Sequence, residues 1–297
     1  MIKRLIFLSF FIFVPSFSAG SGAYPYQMPK GQKDHKALTI IGVIQSHQIK
    51  NGETMLDIAR HYDLGYQELM LVYPKIDPWL PPKGKTIMIP TQWVLPLYWK
   101  EGIVINVAEL RLFFYLPKMG LVKTYPIGIG VEENPTPIGD FKIISKEIDP
   151  IWEIPSSLQK EYGGRKIILP GPENPLGSFW LGLSADSYGI HGTNKPWGVG
   201  RLVSHGCIRL YPEDIIKLFP LVRIGMPVKI IYQPIKFGFK NNKIYLEAHP
   251  DIYKQIPNIK ETVLKEIINL GLKEKVKLPS LFKALKEQKG IPLNITQ

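Results

Sequence analysis

Val203-Ser204-His205-Gly206-Cys207-Ile208-Arg209 carries the only cysteine of this 297-residue chain. A single cysteine cannot close an intrachain disulfide, because a disulfide framework needs pairs. For an arbitrary thiol the commoner role is that of a small buried apolar residue. The neighbours argue otherwise here, since His205 and Gly206 suit a tight polar loop rather than a packed core. A free thiol has a pKa of ~8.5 and is a weak nucleophile until a base takes its proton. Two histidines stand near enough in sequence to do so, His205 and the His191 of Ile190-His191-Gly192-Thr193. Side chains two apart in an extended segment point the same way, so contact between His205 and Cys207 is constrained. His191 comes from a separate segment and approaches freely. It is therefore the expected base, with His205 as a polar support. Backbone N–H groups at Gly206 and Cys207 are candidate donors to an oxyanion. Arg209 suits a substrate carboxylate by a bidentate contact, and spacing alone allows a surface ion pair equally well. Cys207, His191 and His205 lack the spacing and the fourth ligand of a structural zinc site, so no metal is expected.

Around this motif, residues 102 to 232 read as many short strands. Ile103 to Val107, Leu110 to Tyr115, Leu121 to Pro126, Phe141 to Ile148 and Val228 to Tyr232 lie between Gly- and Pro-bearing turns. That density predicts a β-sandwich or barrel and not a parallel α/β sheet. Gly128-Ile129-Gly130 lacks the third glycine and the following helix of a dinucleotide fingerprint.

The flanks have other textures. Lys3 and Arg4, apolar Leu5 to Val14, Pro15 and small residues to Ala23 read as an export signal over residues 1–23, cut between Ser18 and Ala23. The apolar run falls short of the ~20 residues of a membrane span. No cysteine follows it, which excludes a bacterial lipid anchor. The mature chain is expected to be soluble. Residues 24 to 40 read as a linker and 91 to 99 as a connector. Between them a short strand and turn (Gln48 to Glu53) precede a helix through Met55, Ile58, Ala59 and Tyr62, capped by Thr54 and Asp57. A second short helix runs from Gln67 to Tyr73, and a strand over Thr86 to Ile89 stops at Pro90. Beyond residue 250, Ile259, Val263, Ile267 and Leu270 mark an amphipathic helix, and Leu281 to Glu287 suit another. Residues 233–297 are read as a partly helical C-terminal extension that packs on the strand-rich domain or fills a linker role. The net charge of +12 favours acidic polymers. Scattered lysines without interleaved aromatics argue against nucleic acid, and an anionic cell-wall polymer fits better.

Two resemblances sharpen these readings. Residues 45–92 resemble a lysin motif through Ile49 to Thr54, Ile58-Ala59-Arg60, Leu69, Lys83-Gly84 and Ile87 to Pro90, although Tyr73 stands where that family usually has Asn before the proline. The resemblance implies binding to the N-acetylglucosamine glycan of peptidoglycan or chitin. The alternative is a small structural domain that orients its neighbour. Residues 100–232 resemble the L,D-transpeptidase catalytic domain through Thr136 to Phe141, Asn174 to Gly177, Ile190 to Thr193, Ser204 to Arg209 and Pro227-Val228. That resemblance implies a mainly β catalytic domain and a two-step acyl transfer on peptidoglycan, without cofactor. Carried over, Cys207 is the nucleophile and His191 the proton donor and acceptor. Gly192, Ser204, His205, Gly206 and Arg209 complete the site. Cys207 attacks the third stem residue, a diamino acid, and expels the terminal D-Ala. The acceptor amine belongs to another stem, to an outer-membrane lipoprotein lysine or to a free D-amino acid. The signal and module are similar to the layout of periplasmic Gram-negative members. An L,D-carboxypeptidase and a non-catalytic wall-binding protein are the competing readings.

Overall fold

A computed structural model describes residues 22–30, 34, 36–96 and 101–297. The expected export signal lies outside them except for its last two residues. Among the described residues no helix is long and apolar enough to cross a membrane.

The protein is mainly β. Its centre is a nine-stranded sheet in the order Ala23–Pro25, Leu121–Pro126, Arg111–Leu116, Gly102–Asn106, Pro227–Ile231, Gly139–Ile148, Phe179–Leu183, Gly189–His191 and Ile208–Arg209. Neighbours run antiparallel except at two pairs: Pro227–Ile231 with Gly102–Asn106, and Gly189–His191 with Ile208–Arg209. Gly139–Ile148 belongs to both halves. Gly139 to Lys142 pair with Pro227 to Ile230, and Ile143 to Ile148 pair with Phe179 to Leu183 after a register shift at Ile143/Ser145. Such an irregularity bends a strand, and here it folds the sheet over its own core.

Alternation explains what covers each face. Ile103, Ile105, Leu112 and Phe114 point into one core, with Ile190, Ile208, Leu210 and the Pro212–Leu218 helix. Val104, Phe113, Tyr115 and Val122 point to the other side and join the core of the N-terminal module. That module holds helices Met55–His61 and Tyr66–Val72 between paired strands Gln45–Gln48 and Thr86–Ile89. The Thr54–Asp57 capping box starts the first helix: the Asp57 N–H donates to Thr54 Oγ1 and the Thr54 N–H to Asp57 Oδ2.

Three expectations change. Residues 24 to 40 are not merely a linker, because Ala23–Pro25 adds a strand to the sheet edge against Leu121 to Lys123 and Ile40–Gly42 pairs with Gln92–Val94. The 91 to 99 connector likewise contains that paired strand, with Trp93 buried. The C-terminal extension is more than helical. Its helices Ile259–Asn269 and Leu278–Glu287 pack on a hairpin, Ile235–Lys240 with Lys243–Ala248, edged by Leu293–Asn294. Asn241 and Asn242 both take positive φ (52° and 58°), the tight turn that Asn accepts most readily among residues with a side chain.

The module is fastened to the sheet by a buried charge. Arg111 Nη2 donates to Glu68 Oε2 at 2.8 Å and Oε1 at 3.0 Å, and to the Asp63 carbonyl at 2.8 Å. Trp93 Nε1 donates to Glu68 Oε1 at 2.9 Å, and the guanidinium lies 4.2 Å from the centre of a Trp93 ring. Removing one partner of such a pair strands the other charge in the interior. Glu68→Ala is expected to cost about 3–5 kcal/mol, seen as a lower denaturant midpoint, and the double change Glu68→Leu with Arg111→Met to cost less than the single one.

Candidate active site

The site is built on the parallel pair at the end of the sheet. Ile190 lies opposite Ile208 and His191 opposite Arg209. The two isoleucines face the core, so His191 and Arg209 share the other face. Trp180 is registered with His191 on the next strand and stacks on its imidazole, centroids 5.6 Å apart at 24°. Its indole also lies over Gly189, where a Cβ would stand 2.4 Å from Trp180 Cη2. Cys207 precedes Ile208, and its Sγ rests against this same short strand. Sγ lies 3.5 Å from the Ser187 carbonyl.

The turn carrying Cys207 is pinned from several sides. Ser204 Oγ donates to the Cys207 carbonyl at 2.6 Å and accepts the Gly206 N–H at 3.1 Å. Gly206 has φ +109°, and a Cβ there would sit 2.3 Å from Tyr188 Cε1, so only glycine fits. Thr136 Oγ1 donates to the Gly206 carbonyl at 2.9 Å and accepts the Gly130 N–H at 3.0 Å. Tyr253, from the C-terminal unit, donates through its hydroxyl to the Gly130 carbonyl at 2.6 Å. The Gly206 N–H is committed to Ser204. This corrects its expected part as an oxyanion donor and leaves the Cys207 N–H as the candidate.

His191 is buried, and its Nδ1 lies 2.6 Å from the Gly192 carbonyl. A carbonyl only accepts, so Nδ1 carries the hydrogen and Nε2 the lone pair. Gly192 packs closely as well, with a Cβ there meeting Ile215 Cγ2 at 3.1 Å. Burial first, then the Arg209 charge, pull the imidazole down to about 3 against the Gly192 and Leu176 carbonyls. Burial also pushes the Cys207 thiol up, opposed by the Gly189 backbone and the Arg209 charge, which favour the thiolate. The resting pair is therefore neutral imidazole with neutral thiol.

Arg209 is half-buried, and its Nε is enclosed without a hydrogen-bond partner among the described residues. A guanidinium placed so is a natural receiver for a carboxylate. His205 differs from expectation: its side chain is exposed while Ser204 and Gly206 on either side are buried. The chain turns at Gly206, so the extended geometry that would aim His205 along with Cys207 does not hold. Beside Gly192, Thr193 and Asn194 opens a cleft of about 530 Å³, with Asn174, Gly177 and Ile215 among its walls. Among the described residues, one group could gather a cation: Glu109, Glu247 and His249, at the base of the C-terminal unit. It contains no residue of this site, and the Lys236 ammonium already stands 2.6 Å from Glu109 and 3.0 Å from Glu247.

A family model for the L,D-transpeptidase catalytic domain (YkuD) matches residues 100–230. The probable L,D-transpeptidase ErfK/SrfK of Salmonella typhimurium is 32% identical over 98% of this chain and 96% of its own length. The chain belongs to the L,D-transpeptidase family. The probable L,D-transpeptidase YcfS of Escherichia coli is 37% identical over 73% of this chain and 71% of its own. Among solved structures, L,D-transpeptidase 3 from Mycobacterium tuberculosis is similar at 19% identity and a TM-score of 0.36, covering 52% of this chain and 76% of that one.

In this member of the family the turn of Ser204, Gly206 and Cys207 lies beside the strand that bears His191, Arg209 faces His191 across the parallel pair, and His205 is left at the surface. Sequence reasoning missed Trp180, Tyr188 and Tyr253. Gly189 was a signal for the first, since a glycine inside a strand often marks the close approach of a bulky neighbour. With one cysteine in the chain, alkylation reads the site directly. A raised thiol pKa means less thiolate at neutral pH. The iodoacetamide rate at Cys207 is therefore expected to climb with an apparent pKa above that of a free thiol, with no plateau near neutrality. A plateau below pH 7 would reveal a preformed thiolate–imidazolium pair instead.

Proposed function

We propose that the chain is an exported, periplasmic L,D-transpeptidase that acts on the tetrapeptide stems of peptidoglycan through a Cys207 acyl-enzyme. One observation carries the reading: the lone thiol sits in a pinned turn against the strand that bears the buried His191, and Arg209, opposite that histidine, has an Nε without a hydrogen-bond partner among the described residues. Neutral His191 takes the thiol proton at Nε2 as Sγ attacks the carbonyl of the third stem residue. The developing oxyanion meets the Cys207 N–H. Arg209 holds the terminal carboxylate of the D-Ala that leaves. The imidazolium formed in the first half gives its proton to the departing amine. An incoming amine then opens the thioester, with His191 again the base. The acceptor is the diamino acid of a second stem, giving a 3-3 crosslink, or the lysine of an outer-membrane lipoprotein. The export signal over residues 1–23 supports the compartment. The lysin-like module over 45–92 supports an added grip on the glycan, and the basic charge suits the wall.

The test is intact-protein mass spectrometry with a disaccharide-tetrapeptide. The expected outcome is an adduct on Cys207 matching the stem minus D-Ala, none with Cys207→Ser, and a rate lowered about 10²–10⁴-fold with His191→Gln. Tripeptide alone, with neither crosslinked dimer nor D-amino-acid exchange, would mark a hydrolase and sink the transferase reading. Arg209→Met is expected to lower kcat/KM roughly 10- to 100-fold on a free carboxylate terminus. On an amidated terminus the same change should matter far less.

A further inference from the structure

Two large indoles, Trp79 and Trp197, are 60% and 55% exposed, yet line one concave seam of about 260 Å³. Trp79 belongs to the N-terminal module. Trp197 belongs to the catalytic unit, on the segment that leads from His191 to Cys207. Scattered exposed apolar residues need no explanation, but two tryptophans converging on one groove from two different units do. Thr54, Asp57 and Arg60 add donors and acceptors to the same seam.

The seam is rigid. Tyr211 donates its hydroxyl hydrogen to the Leu64 carbonyl at 3.1 Å. The Tyr66 N–H donates to the Val199 carbonyl at 3.2 Å and the Gln67 N–H to that of Gly200 at 3.3 Å. Arg60 pairs with Glu213 through Nε at 2.6 Å and Nη2 at 2.7 Å. Gly65 and Gly200 meet so closely that a Cβ on Gly200 would stand 2.2 Å from the Tyr66 nitrogen. A groove held this way is formed before its occupant arrives, which lowers the entropy lost on binding.

The lining selects the chemistry of the occupant. An indole face is electron-rich and favours weakly positive C–H groups laid flat upon it. A pyranose ring presents such a face, with hydroxyl and acetamido groups at its rim that suit the polar edge formed by the Thr54–Asp57 capping box and the Arg60–Glu213 pair. A protein partner would need a far broader contact, ~800 Å² on each side. Position points the same way. Pro196 lines both this seam and the cleft beside Gly192 to Asn194, so a polymer in the seam lies next to the space where its attached peptide would enter.

We propose that Trp79 and Trp197 form one composite glycan subsite, shared by the N-terminal module and the catalytic unit, for a strand of N-acetylated hexosamines. This rests on the peptidoglycan reading above and adds that the catalytic unit itself reads the sugar. The test is calorimetric titration of the full chain with chitotetraose and with amidase-treated glycan strands free of peptide. Trp79→Ala and Trp197→Ala are each expected to weaken binding roughly tenfold or more. Trp197→Phe should keep affinity within roughly threefold, since it retains an aromatic face. Unchanged denaturant midpoints would confirm that these exposed positions do not unfold the chain. Wild-type affinity in Trp197→Ala with loss in Trp79→Ala overturns the composite subsite and leaves a module-only glycan site. Wild-type affinity in both overturns the groove altogether. No binding by the wild-type chain overturns the subsite and the module's glycan role together, while the Cys207 adduct would still report the acyl transfer on its own.

Discussion

The strands Gly102–Asn106 and Arg111–Leu116 are buried along nearly their whole length on both faces, and a sheet of that kind has to be covered twice. One cover is the sheet's own fold-over with the Pro212–Leu218 helix. The other is the N-terminal module. Arg111 falls on that second face and cannot be left there as a bare charge. Glu68, Trp93 and the Asp63 carbonyl answer it, and in doing so they set the module in one place. The module in turn braces the 199–200 backbone through Tyr66 and Gln67. That backbone begins the approach to Cys207. A docking constraint on the far side of the sheet is thus transmitted, through a few backbone contacts, to the turn that holds the thiol.

The electrostatics of that turn suit a thiol that must wait. A thiolate is the form that binds metals, is oxidised and attacks disulfides. Burial keeps Cys207 protonated and His191 neutral at rest, so the thiol becomes reactive only when a carbonyl is in place to accept its electrons and the imidazole its proton. In the exported setting proposed above, where a lone cysteine meets oxidants, this arrangement protects the sulfur between turnovers. It also places a demand on positioning. With no standing ion pair to hold the two side chains together, the backbone must do so. The hydrogen bonds of Ser204 and Thr136 to the turn, and the stack of Trp180 on His191, meet that demand.

Much of this was legible in the residues. The strand-rich texture of 102 to 232 and the glycine-bearing motif at Cys207 are local patterns, and local patterns survive in a sequence. The capping box at Thr54 and Asp57 and the amphipathic run from Ile259 to Leu270 are equally local. What escaped depends on contacts between distant segments. Ala23–Pro25 is too short to show alternation and is a strand only because the Leu121–Pro126 edge offers it hydrogen bonds. His205 reads as part of the site until the positive φ of Gly206 turns the chain between it and Cys207. The hairpin after Pro234 was signalled by Asn241-Asn242 between alternating apolar residues, a pattern overshadowed by the helices that follow. Tyr253 has no local mark at all, since its hydroxyl matters only where it meets Gly130 and Thr136.

That last residue changes what the C-terminal unit is for. The unit is tied to the rest of the molecule by a buried polar cluster in which Lys236 stands between Glu109 of the sheet and its own Glu247, while Glu247 also receives His249 and the Val94 N–H. Burial drives Glu109 up, whereas Lys236 and His249 hold Glu247 down. The cluster therefore keeps its balance only while all three segments stay together. From that anchor the chain runs on to Asp251, which pairs with the Tyr232 hydroxyl, and to Tyr253, which stacks on Tyr232 and reaches Gly130. Gly130 is bonded to Thr136, and Thr136 to the carbonyl of Gly206. A segment that reads as a tail thus reaches the turn that carries the thiol, by three hydrogen bonds through Gly130 and by two through the Thr136 N–H, which donates to the Tyr253 hydroxyl at 3.4 Å. The charge cluster that would be wasteful as mere glue fixes the angle from which that chain of bonds begins.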